Sequence, residues 1–208
     1  MKKYPVLVLL LIILSSLITF RPAWAANSIL LLGDSVSASY GMKQNEGWVH
    51  LLNMQLKQKD APYFIHNASI SGETTGGGLS RIEGILATEK IDYLIIELGG
   101  NDGLRGFSPK LIKNNLLQTI AIAQEKNIKV SLIKIKITPN YGPRYNQMFE
   151  QVFIDVAKET NINLIPFFME EIVIKPELMQ ADGIHPNKKA QPLIADIVEK
   201  QLKQFILQ

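Results

Sequence analysis

Four short polar segments bring together residue types that can support nucleophilic catalysis. They are Gly33-Asp34-Ser35, Asn67-Ala68-Ser69-Ile70-Ser71-Gly72, Gly99-Gly100-Asn101-Asp102 and Asp182-Gly183-Ile184-His185-Pro186. A serine hydroxyl is a weak nucleophile and needs a base held in one tautomer by a third group. The chain has 3 histidines, and His185 lies three residues after Asp182. In a turn or a first helical turn, that spacing lets the carboxylate reach the Nδ1 proton and leaves Nε2 facing a serine. A tetrahedral oxyanion needs donors placed beforehand. Gly72 can present its N–H with no side chain in the way, Asn101 its side-chain NH2, and Ser35 its own N–H. Each segment alone also suits a bland role. Gly-Asp-Ser makes a turn with Asp34 capping backbone N–H groups, Asp-x-x-His caps a helix start, and Gly-Asn-Asp is a good turn. Their joint occurrence in this order is the specific signal. It is not a Gly-x-Ser-x-Gly elbow, because Ser37 stands where the second glycine would be.

The elements that must position these segments alternate. Short apolar runs at Ser28–Leu32, Tyr63–Ile65, Ile91–Leu98, Ile128–Ile137 and Asn163–Phe167 read as strands. Between them, helical spacing appears over Trp48–Lys59, at Leu79, Ile82, Ile85 and Leu86, from Pro109 through Ile120, and over Gln147–Glu159. A last helix is expected over Pro186–Leu207, with Pro186 suited to its first position. This β-α alternation predicts a parallel sheet with helices on both faces. Its functional edge is formed by the carboxyl ends of the strands, where three of the polar segments fall, and the fourth precedes the last helix. Ser35, just past a strand, is expected at the start of a helix, where the dipole favours negative charge. Gly76-Gly77-Gly78 reads as a loop or helix entry, lacking the Gly-Lys-Ser/Thr ending of a phosphate loop. Lys129, Lys134 and Lys136 read as solvated edge charges.

Composition narrows the partners. The 208 residues carry 22 Lys+Arg and 19 Asp+Glu, a formal charge of +3. Residues 1–25 hold Lys2, Lys3 and Arg21 and no acidic residue, so taking these three away leaves 19 basic against 19 acidic groups. The excess belongs to a segment with a positive start, an apolar run from Val6 to Phe20, and small residues Ala23 and Ala25 before a cut. That is the pattern of a secretory signal peptide. The expectation is a leader over 1–25, a single domain over 26–208, export to the periplasm or medium, and no membrane anchor after cleavage. The exported chain would be near neutral, which argues against a nucleic-acid partner. With 47% hydrophobic and 20% charged residues the chain is not disordered. With no Cys it has no disulfide framework, thiolate metal site or cysteine nucleophile. No His/carboxylate cluster has metal-ligand spacing, so neither a metal nor another cofactor is expected.

The four blocks Gly33-Asp34-Ser35, Gly72, Gly100-Asn101-Asp102 and Asp182-x-x-His185 resemble those of the SGNH hydrolases, also called the GDSL family. The stretches Asn67–Thr74, Glu97–Gly106, Asn140-Tyr141-Gly142 and Phe167–Glu171 are similar to one branch of it: the bacterial periplasmic acyl-CoA thioesterases, also described as arylesterases and lysophospholipases. The resemblance spans residues 28–204. It implies a flavodoxin-like three-layer α/β/α fold with a five-stranded parallel sheet. It implies Ser35 as nucleophile, His185 as base, Asp182 as its orienter, and Ser35, Gly72 and Asn101 as oxyanion donors. It implies Gly103, Leu104, Arg105 and Gly106 as a mobile loop over the acyl site, whose glycines can absorb a hinge change. The implied substrates are acyl esters and thioesters, and a monomer is expected. Two positions depart from the pattern. Ser39 replaces a glycine usual before the tyrosine, and Thr138-Pro139-Asn140 carries its proline one residue later than usual. Two alternatives stand beside this reading. One is a carbohydrate O-acetylesterase of the same fold; the other is a non-catalytic periplasmic binding protein using the same crevice.

Overall fold

The computed structural model describes residues 27–206; the expected leader over 1–25 lies outside them. Strand β1 (Asn27–Gly33) contains Ile29-Leu30-Leu31-Leu32, four consecutive residues with essentially no exposure. A continuous apolar run suits a strand covered on both faces. The remaining strands are β2 (Tyr63–Asn67), β3 (Tyr93–Glu97), β4 (Lys129–Ile133) and β5 (Asn163–Ile165). All pair in parallel in the order β2-β1-β3-β4-β5. Strand order reverses beside β1, so the crevice at the carboxyl ends of β1 and β3 is where a doubly wound sheet offers a site. The register sets Gly33 of β1 opposite Glu97 of β3.

Helices α1 (Trp48–Gln58), α2 (Thr75–Thr88), α3 (Gly100–Leu104), α4 (Pro109–Glu125), α5 (Pro143–Thr160), α6 (Glu170–Val173) and α7 (Gln191–Phe205) complete the described chain. On one side α1 packs against α7; on the other α4 packs against both α2 and α5, giving three layers. Trp48, Phe149, Phe153 and Phe168 are the largest fully buried side chains. The outer edge of β2 is blunted by α1: Asn53 donates to the Ile65 carbonyl at 2.9 Å and accepts its N–H at 3.0 Å. Such pairing removes an exposed edge.

The helix entry expected at 76–78 is present, and other local expectations are corrected. Gly76-Gly77-Gly78 form the first turn of α2, with the Thr74 hydroxyl accepting the Gly77 N–H at 3.1 Å. A Cβ on Gly77 would lie 1.8 Å from Glu73 Oε1, and one on Gly78 2.4 Å from Leu98. Gly78 is the packing glycine, held against Leu98 and Leu32. Gly100 to Leu104 form a short helix in place of the expected Gly-Asn-Asp turn, so the loop expected over 103–106 begins inside that helix and continues through a turn at Arg105 and Gly106. Gly103 is buried there, because a Cβ would meet Ile137 and Phe149 at 2.8 Å. Lys134 and Lys136 lie beyond β4 and pair with Glu150 at 3.1 Å and Glu170 at 2.7 Å. Pro186 does not start the last helix but forms an antiparallel bridge with Met179. The cause is Asn187, which donates to the Glu177 and Met179 carbonyls at 2.9 and 3.0 Å and accepts the Lys189 N–H at 2.9 Å. Those bonds keep the chain turning until α7 begins at Gln191.

Candidate active site

Ser35 follows β1 in a run of turns and not at the helix start expected for it. Asp34 builds the turn: its carboxylate accepts the Val36 N–H at 3.1 Å and its carbonyl the Ala38 N–H at 2.9 Å. From the other end of the chain, the segment between Met179 and Pro186 brings His185 to Ser35. His185 Nε2 stands 2.9 Å from Ser35 Oγ, and His185 Nδ1 2.7 Å from Asp182 Oδ2. The second oxygen of Asp182 accepts the N–H groups of Ile184 at 2.9 Å and His185 at 3.0 Å. These bonds, the His185 N–H foremost, hold the Asp182 carboxyl down to about 2. Asp182 is therefore ionised at neutral pH. A carboxylate can only accept, so Nδ1 carries the proton and Nε2 accepts from the Ser35 hydroxyl.

The donor side is assembled from β3 and from the turn before α2. Asn101, in the first turn of α3, donates to the Glu73 carbonyl at 2.9 Å and to Asp34 Oδ2 at 3.2 Å. One amide thus links the neighbour of Gly72 to the neighbour of Ser35. Gly72 adopts φ +79, a left-handed conformation open to glycine. Among the described residues nothing accepts from the N–H of Ser35 or of Gly72. Asp102 anchors α3 from below: fully buried, it accepts the Thr75 N–H at 2.9 Å and the Thr75 hydroxyl at 2.6 Å. Gly103 and Leu104 belong to α3. Arg105, just after it, donates to the Gly72 carbonyl at 3.2 Å, and Gly106 has φ +68.

Beneath the Ser35 turn lies a second acid. Glu97 is fully buried and accepts the Ser37 hydroxyl at 2.8 Å and the Asp34 N–H at 3.3 Å. Burial pushes Asp34 up to about 6. Burial and the neighbouring Asp34 charge push Glu97 well above the usual carboxylate range.

Sequence reasoning missed Glu97, Tyr40 and Gln180. Glu97 had a readable signal, a carboxylate closing the otherwise apolar strand Tyr93–Glu97. Tyr40, whose ring centroid is 4.2 Å from that of His185, had none. His50 lies exposed on α1, and His66 on β2 packs edge-on to Phe64 at 5.1 Å.

Residues 31–192 match the GDSL-like Lipase/Acylhydrolase family. The chain is 45% identical to "Thioesterase 1/protease 1/lysophospholipase L1" of Escherichia coli K12, over 91% of this chain and 89% of that protein. It is 41% identical to an "Arylesterase" of Vibrio mimicus, over 88% and 91% of the two chains. Among solved structures, the psychrotrophic esterase EstA of Pseudoalteromonas, crystallised inhibited by monoethylphosphonate, superposes with a TM-score of 0.85 at 47% identity. That likeness covers 86% of this chain and 97% of EstA. With its blocks at the carboxyl ends of a five-stranded parallel sheet, the chain belongs to the GDSL-like lipase/acylhydrolase family, the SGNH hydrolases.

Proposed function

We propose that Ser35, His185 and Asp182 form the catalytic triad of this ester and thioester hydrolase. The observation that carries the assignment is the unbroken chain from Ser35 Oγ to His185 Nε2 at 2.9 Å and from His185 Nδ1 to Asp182 Oδ2 at 2.7 Å. Ser35 Oγ attacks the acyl carbonyl carbon while His185 Nε2 takes its proton. Asp182, anionic throughout, stabilises the imidazolium that results. The oxyanion is received by the N–H groups of Ser35 and Gly72 and by the Asn101 amide. The 3.2 Å bond to Asp34 is the weaker of the two that Asn101 makes, and it is the one to be shared with the oxyanion. Collapse of the tetrahedral intermediate expels the alcohol or thiol, which takes the proton from His185. Water, activated by the same imidazole, then releases the carboxylic acid from Ser35.

The named activities of the two relatives, thioesterase, lysophospholipase and arylesterase, support acyl esters and thioesters as substrates. Arg105 and Gly106, following Gly103 and Leu104 of α3, border this acyl site beside Gly72. The protein acts after export, as residues 26–208 freed of a leader over 1–25. In that compartment lysophospholipids are more accessible substrates than acyl-CoA. Among the described residues no helix is long and apolar enough to cross a membrane. One chain supplies all five groups, and we infer a monomer. An organophosphonate probe is expected to label Ser35 and to leave Ser35→Ala unlabelled and inactive. Full activity in Ser35→Ala, or an adduct elsewhere, overturns the assignment.

A further inference from the structure

The turn that carries the base and its orienter is exposed between the buried Leu178 and Pro186. Residues 181–184 are exposed, and the Asp182 side chain is 38% exposed. Its own backbone bonds run from Gln180 N–H to the His185 carbonyl at 2.8 Å, from Gly183 N–H to the Gln180 carbonyl at 3.0 Å, and from Asn187 N–H to the Leu178 carbonyl at 2.7 Å. They fix its shape but not its place against Ser35. The ion pair of Lys188 with Glu46 reaches across, but its lysine is 72% exposed. Such pairs hold little.

Gln191 ties the following turn to α1, accepting the Trp48 N–H at 2.9 Å and donating to the Asn187 carbonyl at 3.2 Å, and Gln180 reaches the Ser35 turn itself. Gln180 Nε2 donates to the Tyr40 carbonyl at 2.9 Å and to the Pro186 carbonyl at 3.1 Å. Tyr40 belongs to the nucleophile turn, its N–H donating to the Ser35 carbonyl at 3.2 Å. Pro186 follows His185 directly. One amide proton therefore crosses to the Ser35 turn, and the other ties the same nitrogen to the residue that follows the base. The site is also shaped around this amide. Gly41 has φ +74, and a Cβ there would lie 2.6 Å from Gln180 Oε1. Beside the bridge, the Tyr40 ring packs on the His185 ring at 4.2 Å.

We propose that Gln180 is a positioning residue whose side-chain amide pins the His185 segment to the nucleophile turn and so sets the Ser35–His185 contact. The proposal rests on the triad assigned above. A 2.9 Å contact leaves little slack before the hydrogen bond is lost. A misplacement of about 1 Å can cost roughly 10²-fold in rate. The role needs two donors on one nitrogen, at the reach of a glutamine side chain. Leucine fills comparable space with no donor, glutamate offers only acceptors at neutral pH, and asparagine keeps the amide but falls one methylene short.

The test compares Q180L, Q180A, Q180E and Q180N with Ser35→Ala on one chromogenic ester. The first four are expected to lower kcat by roughly 10- to 100-fold with KM within about twofold, as for a group acting through the base. Q180E should fall at least as far as Q180A, because its carboxylate faces two carbonyl oxygens. Phosphonate labelling of Ser35 should slow in proportion to kcat. Wild-type kcat in Q180L, or a raised KM with unchanged kcat, overturns the clamp, since filling space would then be the whole role. If Q180L does not fold, Q180N decides: wild-type kcat there overturns the proposal equally. Activity surviving in Ser35→Ala would instead remove the triad reading on which the clamp depends.

Discussion

Two aspartates, Asp34 and Asp182, flank the same serine–histidine pair in opposite environments. Asp34 sits at the end of β1 with 4% exposure, and burial drives its carboxyl up to about 6. Asp182 sits in an exposed turn, and hydrogen bonds to its anion, led by the His185 N–H, drive it down to about 2. Desolvation disfavours the charged form, while donors aimed at a carboxylate favour it. The orienter of a catalytic histidine must stay charged through the cycle. The exposed turn, made of Asp-Gly-Ile-His, therefore suits that task better than the buried position next to the nucleophile. Asp34 accepts from Val36 and Asn101 and shapes the donor side of the site. The buried half of the site is fixed by the sheet; the exposed half is fixed by a few hydrogen bonds.

The largest expected effect comes from exchanging the charged orienter for a neutral one. Asp182→Asn keeps the shape but reverses the tautomer demanded of His185. Loss of kcat on the order of 10⁴-fold is expected, as when a triad carboxylate elsewhere is made an amide. Steady-state kinetics on a chromogenic ester, with circular dichroism to confirm folding, read it. A loss smaller than that of Asp34→Asn would reverse the comparison of the two acids. Next comes the donor side. Asn101→Ala removes one oxyanion donor and is expected to lower kcat by ~10²–10³-fold. A change confined to KM would remove Asn101 from that role.

The two aspartates also predict opposite pH dependences of stability. Asp34 is raised from 3.8 to about 6, so the folded state holds its proton more tightly than the unfolded chain. The stability this confers is present below about pH 4 and is lost as pH rises through about 6, a change of up to about 3 kcal/mol. Asp182, lowered to about 2, contributes stability above its usual 3.8 that disappears as pH falls through about 2. Denaturant unfolding of wild type and Asp34→Asn near pH 4 and pH 7 checks the first of these. The substitution should cost less at pH 7 than at pH 4. A cost that grows with pH would show that Asp34 is stabilised as an anion.

Much of this site was legible because its groups lie in four contiguous segments, three after strands and one before the last helix, where short-range spacing carries the chemistry. The strands were legible too, since Leu30 to Leu32 or Tyr93 to Ile96 can hardly be anything else in an alternating chain. What escaped was set by distant contacts. Gly100-Asn101-Asp102 read as a turn, yet it opens a helix on which Gly103 is small enough for Ile137 and Phe149 to close. Pro186 read as a helix start, and the bonds of Asn187 to Glu177 and Met179 overrule it. Gln180 reaches Tyr40 across 140 positions of sequence, which no local pattern encodes.

The smallest expected effect falls in the turn that follows Ser35. Ser39 has φ +62, the left-handed conformation a glycine adopts freely and an L side chain at a cost of roughly 1–2 kcal/mol. It is also buried. Its hydroxyl has room only because residue 47 is glycine, where a Cβ would lie 1.8 Å from Ser39 Oγ. The two positions form a pair. Ser39→Gly relieves the backbone strain but adds freedom to the unfolded chain, which offsets about 0.5–1 kcal/mol of the gain. The net expectation is a stabilisation of at most about 1 kcal/mol, with kcat unchanged. Gly47→Ala should destabilise the native protein clearly and much less in the Ser39→Gly background. Thermal unfolding of the two single variants and the double variant gives the coupling directly. Additive effects would mean that the serine is accommodated by some other adjustment, and that Gly47 serves only its own turn before α1.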